Sequence, residues 1–334
     1  GMVTANGTAR VTFAQAAIVA KLTAAIGHHG AIWAKQIVRR GGAVGAIALL
    51  LSSSGAPVSA AEKNGYQVSP FVGSFSTGVP ITVPAYHGIE PRLALTYSSE
   101  GRNGLLGLGW SLSGFSQILG KNEMFMNPGL GALVASLDGQ DVFVCPPGSS
   151  YPSCASGGTH YSRKESYLKI LRVDEDHWTV FGKDGTQTKF TALGLPGDYT
   201  WKLGQSQTID THGNAVNYTW WNPDGGIGHH YPSTATYNGY TVEFLYETRP
   251  DPIYSIVRSY DARIANRRLK TIKVKLSSGT LIRAYKLTYS TAPQSGKSLL
   301  TSVQQFGKDA TFDGTGMVTG GTSLPAQTFA YTAD

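Results

Sequence analysis

A chain of 334 residues with 41% hydrophobic and 10% aromatic content can fill a core, which excludes an intrinsically disordered polypeptide. Only 15% of residues are charged and 41 are glycine; with recurring Tyr, Thr, Ser and Val, this favours strands joined by tight turns over helices. The net charge of +7 is misleading: residues 1–61 hold Arg10, Lys21, Lys35, Arg39 and Arg40 and no acid, and subtracting those five leaves +2 for residues 62–334, too little for a phosphate-binding face.

Residues 10–38 are Ala-rich and mildly amphipathic, the pattern of a helical leader. Lys35, Arg39 and Arg40 then form a positive n-region, Ala43 to Leu51 an apolar core, and Val58-Ser59-Ala60 a small-residue approach to a cut near Ala61. The apolar run of nine residues falls short of the about 20 that span a bilayer, so an export signal is favoured over a membrane span or a retained helix. The approach is long for a secretory leader, so either translation starts downstream of Met2 or the n-region is extended. The expected division is a leader with a signal-like segment over 1–61 and a β-rich domain over 62–334, in a protein that is secreted or held at the cell surface.

Between Tyr66 and Phe115 the chain reads as short extended segments, with Pro80 and Pro84 confined to an edge or to strand ends. Leu93, Leu95 and Tyr97 alternate onto one face. The stretch Asn103-Gly104-Leu105-Leu106-Gly107-Leu108-Gly109-Trp110-Ser111-Leu112-Ser113-Gly114 interleaves glycines with leucines and a tryptophan. It predicts a tight glycine turn feeding a strand whose Trp110 enters a core. A phosphate cradle needs a different glycine spacing and a following helix, and the stretch offers neither.

Cys145 and Cys154 bracket a turn-rich loop and predict a disulfide in an oxidising compartment, contributing roughly 2–3 kcal/mol through loop closure. From residue 130 a hairpin rhythm begins, with turns predicted at Asp138-Gly139, Lys183-Asp184-Gly185, Asn238-Gly239 and Ser277 to Thr280. The basic run Arg263, Arg267, Arg268, Lys270, Lys273 and Lys275 reads as the wet face of an amphipathic strand whose other face holds Ile272, Val274 and Leu276. The fold class expected is all-β, with many short antiparallel strands in a twisted sheet or sandwich, preceded by the helical leader.

Phe75 to Pro84, Gly88 to Ser99 and the block Asn103 to Gly114 together resemble the start of the SpvB-type domain. That domain stands at the amino end of the Salmonella virulence plasmid B protein, of toxin-complex B subunits and of many Rhs/YD-repeat proteins. Weaker likeness continues through Trp178 to Phe190, Asp210 to Tyr218, Ser298 to Val303 and Leu324 to Tyr331. The resemblance implies a β-rich scaffold without catalytic activity, with Gly104, Gly107, Gly109, Trp110 and Gly114 as its structural motif. In toxin-complex relatives such a domain is part of a hollow shell around a toxic polypeptide. The implied partners are downstream Rhs/YD-repeat or propeller domains and toxin-complex subunits.

Chemistry-bearing motifs are sparse. There is no G-x-S-x-G, H-E-x-x-H or P-loop, and neither cofactor nor metal is expected. His229-His230, Asp174-Glu175-Asp176, Glu243 with Glu247, His177 and His212 all read more simply as loop, turn or cross-strand residues. Among Trp201, Trp220, Trp221, Tyr231, Tyr237 and Tyr240, the pair Trp220 and Trp221 offers a stacking surface, so a carbohydrate-binding or adhesive module with glycans as ligand is the second reading. Mass spectrometry of the exported protein is expected to find an amino terminus near Ala61 or Glu62; an intact Met2 terminus contradicts the signal.

Overall fold

The computed structural model describes residues 3–5, 66–69, 73–120, 135–137, 141–144, 159–162, 166–174, 176–194, 202–225, 228–258 and 261–332. The described residues form strands and turns and contain no helix. Accordingly, no helix among them is long and apolar enough to cross a membrane. The expected helical leader lies outside them, apart from Val3–Ala5, which is a strand (β1). Cys145 and Cys154 also lie outside the described residues.

After β1 come β2 (Tyr66–Val68), β3 (Phe75–Pro80), β4 (Ala94–Ser98), β5 (Asn103–Gly104), β6 (Gly107–Leu108) and β7 (Trp110–Ser113). β2, β3, β4 and β7 build a four-stranded antiparallel sheet, and β5 with β6 makes a short hairpin between β4 and β7. The predicted alternation is seen in β4, where Leu95 and Tyr97 are buried between half-exposed Ala94, Thr96 and Ser98. Pro80 sits at the end of β3, where its missing N–H interrupts no further ladder.

β8 (Gln117–Gly120), β9 (Ala135–Leu137), β10 (Asp141–Val144), β11 (Thr159–Ser162), β12 (Lys169–Arg172), β13 (His177–Phe181), β14 (Gln187–Ala192) and β15 (Lys202–Ile209) follow, each antiparallel to the next. β15 then pairs back onto β8 with Leu203 opposite Ile118, which closes these strands into a ring. Buried Ile118, Ile170, Trp178, Val180, Phe190 and Leu203 form one cluster there, with Leu137 packed against it. Leu137 pairs with Asp141, so three residues separate β9 from β10 rather than the predicted Asp138-Gly139 pair. A one-residue slip would reverse the faces of β10 while β9 is already fixed by Ile118 opposite Leu137.

The chain continues through β16 (Ala215–Trp221), β17 (Tyr231–Tyr237), β18 (Tyr240–Arg258), β19 (Asp261–Leu276), β20 (Leu281–Thr291) and β21 (Ser298–Phe306). It ends in β22 (Thr311–Phe312), β23 (Val318–Gly320) and β24 (Gln327–Tyr331). β15 is shared: its first half closes the ring, and its second half pairs with β16 to begin a long sheet running through β21 to β24 and β1. Tyr237 faces Tyr240 across Asn238 and Gly239, whose φ values of 40° and 73° are those the Asn-Gly signal predicts.

The four-stranded sheet lies on one face of the long sheet. Val79, Ile81, Leu93, Leu95, Tyr97, Leu106 and Trp110 share a core with residues of the long sheet, from Val216 on β16 to Phe329 on β24. Polar pins cross the same gap: Tyr285 Oη accepts from the Thr82 amide at 2.9 Å, and Tyr237 donates to the Pro84 carbonyl at 2.8 Å. Ala284 alternates with Tyr285, so the β22–β23 hairpin, packed through Phe306, Phe312 and Val318, covers the opposite face.

The basic run departs from a uniformly wet face. Lys270 is 4% exposed and donates to the Thr315 carbonyl and hydroxyl, Lys273 lies 3.8 Å from the Phe312 ring centroid, and Lys275 pairs with Glu243 at 3.0 Å. Leu276 is exposed, because a register shift at Val274/Lys275 interrupts the alternation just before the strand ends. Leu95→Ala is expected to cost about 2–5 kcal/mol, because the site is sealed between two sheets and cannot collapse. Urea denaturation measures this; a loss below about 1 kcal/mol would mean that the two sheets do not share one core.

Candidate functional site

The glycine block is where the two sheets are joined. Leu105 and Leu106 form the turn between Gly104 and Gly107, and Leu106 is fully buried. The Leu105 carbonyl accepts from the Leu269 amide of β19 at 3.0 Å. Gly107 has φ 87°, and a Cβ there would stand 2.3 Å from the Ser298 carbonyl oxygen of β21, so the loop backbone rests directly on the sheet backbone. At Gly109, φ is 79° and a Cβ would meet the Tyr97 ring at 2.5 Å. Gly104 and Gly114 hold the approach to Trp110 and the exit from its strand.

Trp110 is 1% exposed. Its ring lies 5.4 Å from that of Tyr97 and 4.5 Å from that of Phe329. Its indole N–H donates to Tyr331 Oη at 2.8 Å, and Tyr331 donates in turn to the Leu300 carbonyl at 2.6 Å. Trp110 therefore ties the block to β21 and β24 together.

A buried ionic cluster clamps the same loop. Pro250 and Pro252 cannot donate to a ladder, and pairing between β18 and β19 skips from Thr248 opposite Arg267 to Ile253 opposite Ala265. Within this bulge Arg249 donates to both Asp251 carboxylate oxygens from the Nε–Nη2 edge of its guanidinium, at 3.1 and 3.0 Å, with side chains 0% and 4% exposed. Arg249 also donates to the Gly104 carbonyl and to Asn103 Oδ1, each at 2.8 Å. Asp251 accepts from Asn103 Nδ2 at 3.0 Å, from the Ser298 amide at 2.9 Å and from the Ser298 hydroxyl. Arg268 adds a bond to Ser298 Oγ at 2.9 Å and an ion pair with Glu247 at 2.6 Å, and lies 4.4 Å from the Tyr289 ring centroid. Burial alone would push the Asp251 carboxyl up; the bonds from Arg249, Ser298 and Asn103 outweigh it and hold the group well below the usual carboxylate range.

The cluster is sealed: Ser298 is fully buried, and so are the Arg249 and Asp251 charges. Elsewhere, Asp174 holds His177 Nδ1 at 2.8 Å, and Asp210 accepts from Asn214 and from the His212 amide. Glu247 and Glu243 are engaged with Arg268 and Lys275. His229 packs edge-on to Tyr231 at 4.7 Å. No group of three or more metal-ligating side chains occurs among the described residues. Burial pushes the Tyr218 phenol up to about 12 and raises those of Tyr246 and Tyr289 as well, so they remain neutral hydrogen-bonding groups at physiological pH.

Trp220 and Trp221 do not form one platform. Trp220 donates to the Gln205 carbonyl at 2.9 Å and meets Phe115 edge-on at 5.5 Å. Trp221, 39% exposed, stacks on Tyr246 at 5.8 Å and 28°. Motif reading missed Arg249, Asp251 and Ser298. The available signal was a charged pair framed by prolines, Arg249-Pro250-Asp251-Pro252, in a strand otherwise rich in aromatic and branched residues.

The architecture is that of an all-β module in which a small sheet is bolted through a glycine loop to a larger one. Residues 69–146 match the family model described as SpvB, Salmonella virulence plasmid 65kDa B protein. That segment contains β3 to β10 and the entire glycine block, so the likeness to the SpvB family centres on the joint between the sheets. Comparison with curated protein sequences finds no match. The fold is similar to the N-terminal domain of effector protein SpvB from Salmonella typhimurium strain LT2, at 16% identity and a TM-score of 0.55, over 69% of this chain and 98% of that one. It is similar to a chain of the TcdB2–TccC3–Cdc42 crystal structure at 16% identity and a TM-score of 0.55, covering 77% of this chain. The Tc holotoxin pore of Photorhabdus luminescens gives 15% identity and a TM-score of 0.56 over 84% of this chain. This chain spans 16% of the length of those two toxin-complex chains, and at such identities the likeness is one of fold.

Two outcomes are expected at the clamp. Asp251→Asn should cost about 3–5 kcal/mol, because it leaves Arg249 buried without a counter-charge, and Arg249→Met with Asp251→Leu should recover part of the loss. A carboxyl whose folded pKa lies below its unfolded value of about 3.9 contributes its full stability above that value and loses it as pH falls toward the folded pKa. The gap between wild type and Asp251→Asn should therefore be flat above about pH 5 and narrow below about pH 4 in denaturation titrations.

Proposed function

We propose that this chain is a non-catalytic β-scaffold module, the amino-terminal part of an Rhs or toxin-complex-type secreted protein. Its work is to build part of a shell wall and to dock neighbouring domains, with downstream Rhs/YD-repeat or propeller domains and toxin-complex subunits as partners. The observation that carries this reading is the glycine block. Its contacts fix one sheet on another and engage the Gly104 carbonyl and the Ser298 amide in doing so, and it lies inside the segment that matches the family model. Likeness in fold to chains of TcdB2–TccC3 assemblies supports the same reading.

A second reading rests on Trp221, a residue 39% exposed whose ring stacks on Tyr246, an arrangement suited to a sugar ring. Cross-linking mass spectrometry of the native protein separates the two. The scaffold reading predicts cross-links from this chain to Rhs/YD-repeat or toxin-complex polypeptides, and no glycan-array signal. Glycan binding abolished by Trp221→Ala in a folded variant, with no such cross-links, would overturn it in favour of a carbohydrate-binding module.

A further inference from the structure

Four Asn-Gly steps occur in the sequence, at Asn6, Asn64, Asn103 and Asn238, and the last two lie among the described residues. Such a step is the most open to spontaneous deamidation, because glycine has no Cβ to hinder the approach of its nitrogen to the asparagine side chain. The two described steps stand in opposite settings. Asn238 is exposed in the turn between β17 and β18, and a Cβ at Gly239 would meet nothing within 4 Å. Asn103 is partly buried, and both polar atoms of its amide are held. Its Nδ2 donates to Asp251 Oδ2 at 3.0 Å, and its Oδ1 accepts from Arg249 Nη2 at 2.8 Å. Arg249 also grips the Gly104 carbonyl at 2.8 Å, so the clamp fixes both residues of the step.

We infer that Asn103 is a latent deamidation site, kept unreacted by the clamp and released to react when the joint between the sheets opens. In the reaction the Gly104 nitrogen bonds to Asn103 Cγ, the Cγ–Nδ2 bond breaks, and ammonia leaves with the proton that Gly104 gives up. Water then opens the cyclic imide. Cleavage at Cγ yields aspartate, and cleavage at the backbone carbonyl yields isoaspartate. In the closed joint the attack is blocked, because Cγ can reach the Gly104 nitrogen only by giving up two charge-assisted hydrogen bonds. The clamp also refuses either product. A carboxylate at position 103 has no donor for Asp251 and faces it across the 3.0 Å contact that Nδ2 now makes. Isoaspartate adds a backbone carbon to a hairpin in which Gly104 faces Gly107, and Gly107 has no slack against Ser298. The reaction therefore runs in the open state and bars the way back, so the joint carries a one-way chemical lock.

The inference is independent of what the module docks. Its test ages the full-length chain in mildly alkaline buffer, native and in urea, and follows each Asn-Gly step by peptide mapping. Folding should slow deamidation at Asn103 by at least about tenfold, because the reaction then proceeds only through local opening. The urea-aged chain is next returned to urea just below the unfolding transition of the unmodified protein, and folded and unfolded pools are separated by size exclusion. Product at position 103 should be depleted from the folded pool by at least about tenfold, since it breaks a buried charged network. Aspartate at position 238, which the same Asn-Gly type of turn accepts, should be found equally in both pools. The Asn103→Asp chain, which carries the product without ageing, should unfold at lower urea than wild type. Native Asn103 reacting as fast as in urea, position-103 product shared evenly between the pools, or a wild-type urea midpoint for Asn103→Asp each overturns the proposal.

Discussion

At Gly107 the backbone of a loop lies against the backbone of Ser298 with no room for a Cβ between them. That contact sets the distance between two sheets, and the surrounding groups are arranged to hold it. Arg249 reaches the loop from one side through Gly104 and Asn103, and Asp251 reaches Ser298 from the other, so one ion pair grips both partners of the contact. A buried ion pair is a poor source of net stability compared with apolar packing of the same volume. Its better-attested use is to specify one arrangement, and that suits a joint whose register would otherwise rest on leucines able to pack in several ways. Trp110 extends the same joint to the last strand through Phe329 and Tyr331.

The parts of this joint were unequally legible in the sequence. Glycine spacing and the alternation of Leu93, Leu95 and Tyr97 are local signals, and they located the turn, the strand and the buried tryptophan. Asn238-Gly239 is a two-residue signal with one backbone solution, and it appears as expected. The clamp is non-local: Asn103, the Arg249/Asp251 pair and Ser298 meet from three separate places in the chain, and periodicity over a window cannot see such a meeting. Ring closure was invisible for the same reason, since β8 and β15 are separated by the whole series of strands they enclose. Lys270 reads as a wet residue in a basic run, yet the β22–β23 hairpin folds over it and supplies Thr315 as its partner.

These features describe an object whose polar chemistry is turned inward. The ionic cluster is sealed, Asp174 and Asp210 hold turns, Glu243 and Glu247 are in ion pairs, and Tyr237 pins the two sheets while Tyr289 bonds across strands of the long one. Among the described residues, sheet surface and the outer strands of the sheets face outward.

The central claim is that the glycine block and its clamp make the two sheets one cooperative unit. Native-state hydrogen exchange tests it most directly. The amides of Ile81 and Ser98 report on the four-stranded sheet, and the Leu269 amide, bonded to Leu105, reports on the joint. The account predicts that all three exchange with the same opening free energy as the core of the long sheet, and that Arg249→Met lowers them together. Exchange of Ile81 and Ser98 through a separate, much cheaper opening, with the long sheet still protected, would contradict it.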